Sequence, residues 1–178
     1  MKKFVIIISV LLIGCAPWMK VGGGYKNSHD KYSVELPKGW MKLNTDKCLF
    51  ITRDGSLLQN ITIERIDLEK PLNNTKKKLS KNMLPLEVSE IIIDNISSDK
   101  AVLNLSIIEN IPVTIDGNQG FEILFTYKNH DGLTFKSLYC SFLHESWLYK
   151  IRYTAAERYY FHKDVGVFEK LLNSFKLS

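Results

Sequence analysis

The stretch VTIDGNQGFEILFTYKNHDGLTFKSLYCSFLHESWLYKIRYT, residues 113–154, decides the fold. Apolar and polar residues alternate along much of it, the period of a strand with one buried face. Three short breaks interrupt the alternation: Asp116-Gly117, Asp131-Gly132 and Glu145-Ser146. Asp-Gly between two such runs is a hairpin signal, because tight hairpin turns need positive φ. The reading is a strand over 102–109 that continues past Pro112 over 111–115, then strands over 120–127, 133–143 and 147–154. Three successive hairpins make this an antiparallel meander.

Outward from the meander, the C-terminal segment changes period. Phe161, Val165, Phe168, Leu171, Leu172 and Phe175 step by three and four, one apolar helical face. On the N-terminal side, YSVEL alternates and runs into the turn residues Pro37-Lys38-Gly39. A short apolar strand over 49–52 and an alternating strand over 60–67 flank Asp54-Gly55 as a hairpin. Between the halves, Asn74 or Thr75 can cap a helix over about 75–98. It carries Leu79, Met83, Val88, Ile91, Ile92 and Ile96 and is broken near Pro85. Strands, a helix, a long antiparallel run and a closing helix predict helices packed on an antiparallel sheet.

The first residues carry an address. Lys2 and Lys3 precede the uncharged apolar run 4–13, too short for the roughly 20 residues of a spanning helix. It reads as a signal-peptide core over 1–14. Leu12-Ile13-Gly14-Cys15 resembles a bacterial lipobox, which implies cleavage before Cys15 and its lipidation with diacylglycerol and a further acyl chain such as palmitate. Two or three chains hold a protein on a membrane, at about 0.8 kcal/mol per buried CH₂. Ala16 rather than Asp follows, which in a Gram-negative cell implies the periplasmic side of the outer membrane. Gly22-Gly23-Gly24 has neither P-loop nor dinucleotide-binding spacing, so 15–30 reads as a lipidated, flexible tether. A single domain over 31–178 follows. Trp18, three residues past the anchor, suits a membrane interface.

Composition narrows the function. Of 24 basic residues, Lys2 and Lys3 leave with the signal, giving +3 against 19 acidic ones. This mild charge is no nucleic-acid stripe, and Lys76-Lys77-Lys78 reads as a solvated face. Cys48 and Cys140 are either a disulfide or two buried thiols. Neither has ligand spacing, so no metal or other cofactor is expected. His162-Lys163-Asp164 lacks the spacing of the phospholipase motif it superficially matches, and no GxSxG, HExxH or CxxC occurs. The expectation is a protein that is not an enzyme. Tyr127, Tyr139, Trp147, Tyr149 and Tyr153 are the candidate binding surface, an aromatic face for a peptide, glycan or lipid, against the alternative of sheet–helix core.

YSVELPKGW at the front and YKIRYTAAERYYFHKDVGVFEKLLNSFKL at the back resemble the PsbP-like family, which includes the extrinsic PsbP subunit of photosystem II and bacterial DcrB-type lipoproteins. The resemblance rests on Pro37, Gly39 and Trp40, on Tyr149-Lys150-Ile151, and on Asn173-Ser174-Phe175 in the last helix. It implies an α+β fold, an α/β/α sandwich with a central antiparallel sheet flanked by helices. It also implies an accessory or binding protein, with an envelope protein as partner and the membrane reached through the anchor.

Overall fold

The structure, a computed structural model, describes residues 17–45 and 47–178. Cys15 and the signal and lipobox reading of 1–14 lie outside the described residues. Among the described residues no helix is long and apolar enough to cross a membrane.

The strands are β1 (Trp18–Asn27), β2 (Tyr32–Leu43), β3 (Leu49–Thr52), β4 (Gln59–Asp67), β5 (Leu103–Ile115), β6 (Asn118–Lys128), β7 (Thr134–His144), β8 (Trp147–Ala156) and β9 (Lys176–Leu177). The helices are α1 (Pro85–Ser97) and α2 (His162–Asn173), the latter entered through a π-helical turn at Glu157–Phe161. All nine strands form one antiparallel sheet in the order β1-β2-β3-β4-β8-β7-β6-β5, with β9 beside β2. The meander β5–β8 forms as its turns predict. The two halves join where β4 lies along β8, from Gln59↔Ala155 to Asp67↔Trp147.

Alternation sends each strand's residues to two buried faces. On one face Tyr149, Ile151 and Tyr153 of β8 and Ile61 and Ile63 of β4 meet Phe161, Phe168, Leu171 and Phe175 at the C-terminal helix. On the other, Phe121, Ile123 and Phe125 of β6 with Tyr139 and Leu148 meet Val88, Ile92 and Ile96 of α1. The expected helix-flanked sheet is thus met in its coarse form. The sheet is the dominant element, and among the described residues each face carries one α-helix.

Two boundaries differ from expectation. Residues 18–27 are not tether but an edge strand, paired with β2 from Trp18↔Leu43 to Asn27↔Tyr32. The glycines that read as coil make a bulge between Val21 and Gly23, with Gly23 at φ +88°. Val21 and Tyr25 pack against the core. The ordered domain therefore begins by Trp18, whose ring lies 6.1 Å from Phe50.

The central helix begins only at Pro85. Proline suits a first helical position, and the Glu87 carboxylate accepts the Leu84 N–H at 2.8 Å. Upstream, the chain is a pinned loop. Leu72 and Leu79 are buried, and the backbone N–H groups of Asn74 and Thr75 donate to Asn95 Oδ1 of α1. The Leu79–Met83 spacing reflects anchoring of this loop, not a helix.

Candidate functional site

Helix α1 lies over β5 and β6. The same face of the sheet continues past it across β8 and β4, where alternate side chains are polar. Glu64 of β4 stands opposite Lys150 of β8, and Thr62 opposite Arg152. On the other side of β8, Arg152 faces Tyr139 and Lys150 faces Ser141. This floor, the end of α1 at Ile92, Asn95 and Ile96, and the segment after β4 enclose an open cleft of about 760 Å³. That is within the range of small-molecule sites.

Each cation in the cleft is held differently. Lys150 is ion-paired with Glu64. Burial and the like charge of Arg152 push its ammonium down from the lysine range to about 7, with Cys48 opposing them. The Arg152 Nε donates to Ser137 Oγ at 2.9 Å, and its guanidinium lies 5.4 Å from the centre of the Phe125 ring. Arg65 stacks on Trp147 at 3.8 Å, and its Nε is 3.6 Å from Asp30 Oδ1. Stacking and a planar fork are what distinguish arginine from lysine here.

At the rim, His29 Nδ1 is 2.9 Å from Asp30 Oδ1, and the histidine is 82% exposed. The Cys48 thiol is pushed up by burial, with Lys150 opposing, which disfavours the nucleophilic thiolate. His144 Nδ1 is 3.2 Å from Asn118 Oδ1. Asp164 is buried and takes the guanidinium of Arg53, while Lys163 pairs with Asp54 at 2.8 Å, so these two members of the His162-Lys163-Asp164 run have structural partners.

The five candidate aromatic residues do not share a face. Tyr127 and Tyr139 lie with the α1 cluster, and Trp147, Tyr149 and Tyr153 with the α2 cluster. Tyr149 donates its hydroxyl to the Asp30 carbonyl at 2.9 Å, and Tyr153 to the Tyr160 carbonyl at 2.8 Å. Both are core residues with satisfied hydroxyls. Tyr139 and Trp147 alone of the five line the cleft.

Cys48 and Cys140 are free thiols, not a disulfide. Leu49 pairs with Ile63, Ile63 with Ile151, and Ile151 with Cys140. Three strand spacings, roughly 14 Å, therefore separate the two positions, well beyond disulfide reach. Cys140 instead donates weakly to Glu122 Oε2 at 3.4 Å.

Sequence reasoning did not select Lys150, Arg152 and Glu64. The available signal was YKIRYT itself, with two cations on alternate positions of a strand in mid-sheet. Their importance depends on β4 becoming the neighbour of β8, which no local pattern announces.

No protein-family model and no curated protein sequence matches this chain. Solved structures do. The chain is similar to the solution structure of cyanobacterial PsbP (CyanoP) from Synechocystis sp. PCC 6803, with a TM-score of 0.62 and 14% identity, over 97% of this chain and 99% of that one. It is also similar to the Ran-binding protein Mog1p of Saccharomyces cerevisiae, TM-score 0.59 and 8% identity, over 89% and 96%. A third is a protein of Pseudomonas aeruginosa described as of unknown function and a putative regulator, TM-score 0.54 and 9% identity, over 85% and 93%. The chain has a PsbP-like fold.

Proposed function

We propose that this chain is a lipid-anchored, non-catalytic binding module of the bacterial cell envelope, a DcrB-type member of the PsbP-like α/β/α sandwiches, that docks an envelope protein. The observation that carries the reading is the free edge of the sheet at β5. Leu103, Ile107, Ile108 and Ile111 are exposed there on a 13-residue strand that, among the described residues, has no neighbour on its outer side. An open edge with aliphatic side chains is suited to accepting a strand from a partner. The bulges at 103–106 and 107–109 and the proline at Pro112 limit indiscriminate pairing.

The anchor fits this role. Only Ala16 and Pro17 separate Cys15 from the first residue of β1. A lipidated Cys15 would hold the folded domain within roughly 10 Å of the membrane surface.

Affinity capture after crosslinking in the native envelope tests the proposal, with Ile108→Asp and Cys15→Ser versions alongside. A near-stoichiometric protein, lost with Ile108→Asp and reduced with Cys15→Ser, is the expected result. A partner retained equally by all three versions would rule out both the edge and the anchor.

A second reading, a small-ligand binder, is favoured by the cleft over β4 and β8. Its floor is charged rather than aromatic.

A further inference from the structure

The cleft floor carries a charge that the fold does not use. Strand β8 has β4 on one side and β7 on the other. Its α2-facing residues Tyr149, Ile151 and Tyr153 are fully buried and apolar in body. Its opposite face presents Lys150 and Arg152 at adjacent alternate positions. Taking such cations out of water is costly unless a partner meets them. Lys150 has Glu64. Arg152 has the hydroxyls of Ser137 and Tyr127 and an aromatic ring, all neutral, and among the described residues no carboxylate lies within ion-pair distance of it.

The neutral contacts do something specific. They fix the Nε and one face of the guanidinium, leaving the remaining N–H donors of the fork without a carboxylate. At the cleft's far end Arg65 repeats the theme. Its side chain is only 9% exposed, and its buried Nε has no hydrogen-bond acceptor, with Asp30 just outside range at 3.6 Å. Five lysines and arginines line the cleft against four aspartates and glutamates. The carboxylates are engaged: Asp30 by His29 and Asn27, Glu64 by Lys150, and Asp67 and Asp99 by backbone N–H groups. The surplus is one positive charge, and Arg152 is the cation of the cleft floor without a carboxylate partner.

We propose that the cleft binds a small solute through one singly charged oxyanion, a carboxylate or phosphodiester, which takes the donors of Arg152 that Ser137 and Tyr127 leave over, beside Lys150. A planar fork matches two oxygens of such a group. A dianion is disfavoured because Glu64 stands next to Lys150. The body of the solute lies against Tyr139 and the α1 residues Ile92 and Ile96. This names the ligand class of the second reading above and rests on the cleft alone. It does not involve β5, so failure of partner capture and failure of oxyanion binding are separate results.

The test uses the full chain in micelles of a zwitterionic detergent, labelled for arginine side-chain NMR. The probes are benzoate, dimethyl phosphate and, as the uncharged control, benzamide. The expected result is a saturable millimolar shift of the Arg152 Nε–Hε signal with benzoate or dimethyl phosphate and none with benzamide. In Arg152→Gln, read at the Trp147 indole N–H, affinity falls at least tenfold, while Lys77→Gln on the exposed face of the loop leaves it unchanged. Arg152→Lys keeps the charge but loses the fork, and binds several-fold more weakly. This variant and the wild-type titration decide the matter if Arg152→Gln does not fold. An Arg152 signal that is still in all three titrations, or that moves equally with benzamide, overturns the proposal. A shift seen only when phosphatidylglycerol is added to the micelles assigns the oxyanion to a lipid headgroup and overturns the small-solute site.

Discussion

Arg53 at the tip of the β3–β4 hairpin reaches Asp164 in the first turn of α2, guanidinium to carboxylate at 2.8 Å, across 111 residues of sequence. Asp164 is 1% exposed and is also met by the Gln59 amide. Its carboxylate at a helix N-terminus complements the helix dipole as well. The pair therefore ties α2 to the sheet. Arg53→Ala leaves a buried carboxylate without its cation and is expected to destabilise by about 3 kcal/mol. Asp54→Ala, which removes the partly exposed pairs to Arg53 and Lys163 and a 3.3 Å bond from the Gln59 amide, costs about 1 kcal/mol or less. Urea midpoints of the two variants measure the difference. Equal effects would remove the special role of Asp164.

Residue Gly23 separates a strand from a tether. In a flexible tether, Gly23→Ala changes nothing. In the bulge of β1, at φ +88°, an alanine sits in the left-handed region and should cost about 1 kcal/mol. Thermal melting of the purified chain reads the result. Gly120 is constrained in another way. A Cβ there would collide with the Ser141 carbonyl oxygen and lie 2.9 Å from Phe142 Cβ. Gly120→Ala is expected to lower stability by about 1–3 kcal/mol, through displacement of β7 from β6.

Burial pushes the Glu122 carboxyl up, with Glu109 and Glu169 adding to the shift and the Cys140 thiol opposing it. The folded state then binds more protons than the unfolded one between the ordinary glutamate pKa and the raised value. Stability contributed by this group is present below the ordinary pKa and declines as pH rises through that window. Asp116 has the opposite sign. The Lys176 ammonium and the Leu177 N–H hold its carboxyl low, so its contribution is present above the usual aspartate pKa and is lost on acidification. Comparing urea stability of the wild type with Glu122→Gln from pH 4 to 7 isolates the first effect. The variant should gain relative to the wild type as pH rises. A constant difference across the range would show that Glu122 is not the titrating group.

The thiols give a chemical check on register. In the Cys15→Ser chain, Cys48 should react with a water-soluble disulfide reagent in the native state and Cys140 only after denaturation, because Cys140 is fully buried and Cys48 half-buried. Oxidation should not join them. A native Cys48–Cys140 bond would contradict the pairing of β3 with β4 and β4 with β8.

The chain wrote much of this architecture in local terms. The hairpins at Asp54-Gly55, Asp116-Gly117 and Asp131-Gly132 followed from turn chemistry, and the closing helix followed from the spacing of Phe161, Phe168, Leu171 and Phe175. Period and turn residues act between neighbours in sequence, so a linear reading reaches them. The same reading failed at β1, where glycines compatible with coil became a strand through edge pairing with β2. It failed again before Pro85, where helical spacing served a loop pinned by Asn95. The candidate site lay further out of reach. Lys150 and Arg152 stand at alternate positions of one strand, a pattern that by itself names no partner for either. Only tertiary structure put β4 beside β8, left that face uncovered by α1, and gave Glu64 to Lys150 but no carboxylate to Arg152. Alternation and turns fix which residues share a face, whereas strand order and helix placement depend on packing across a hundred residues, which decides what each face meets.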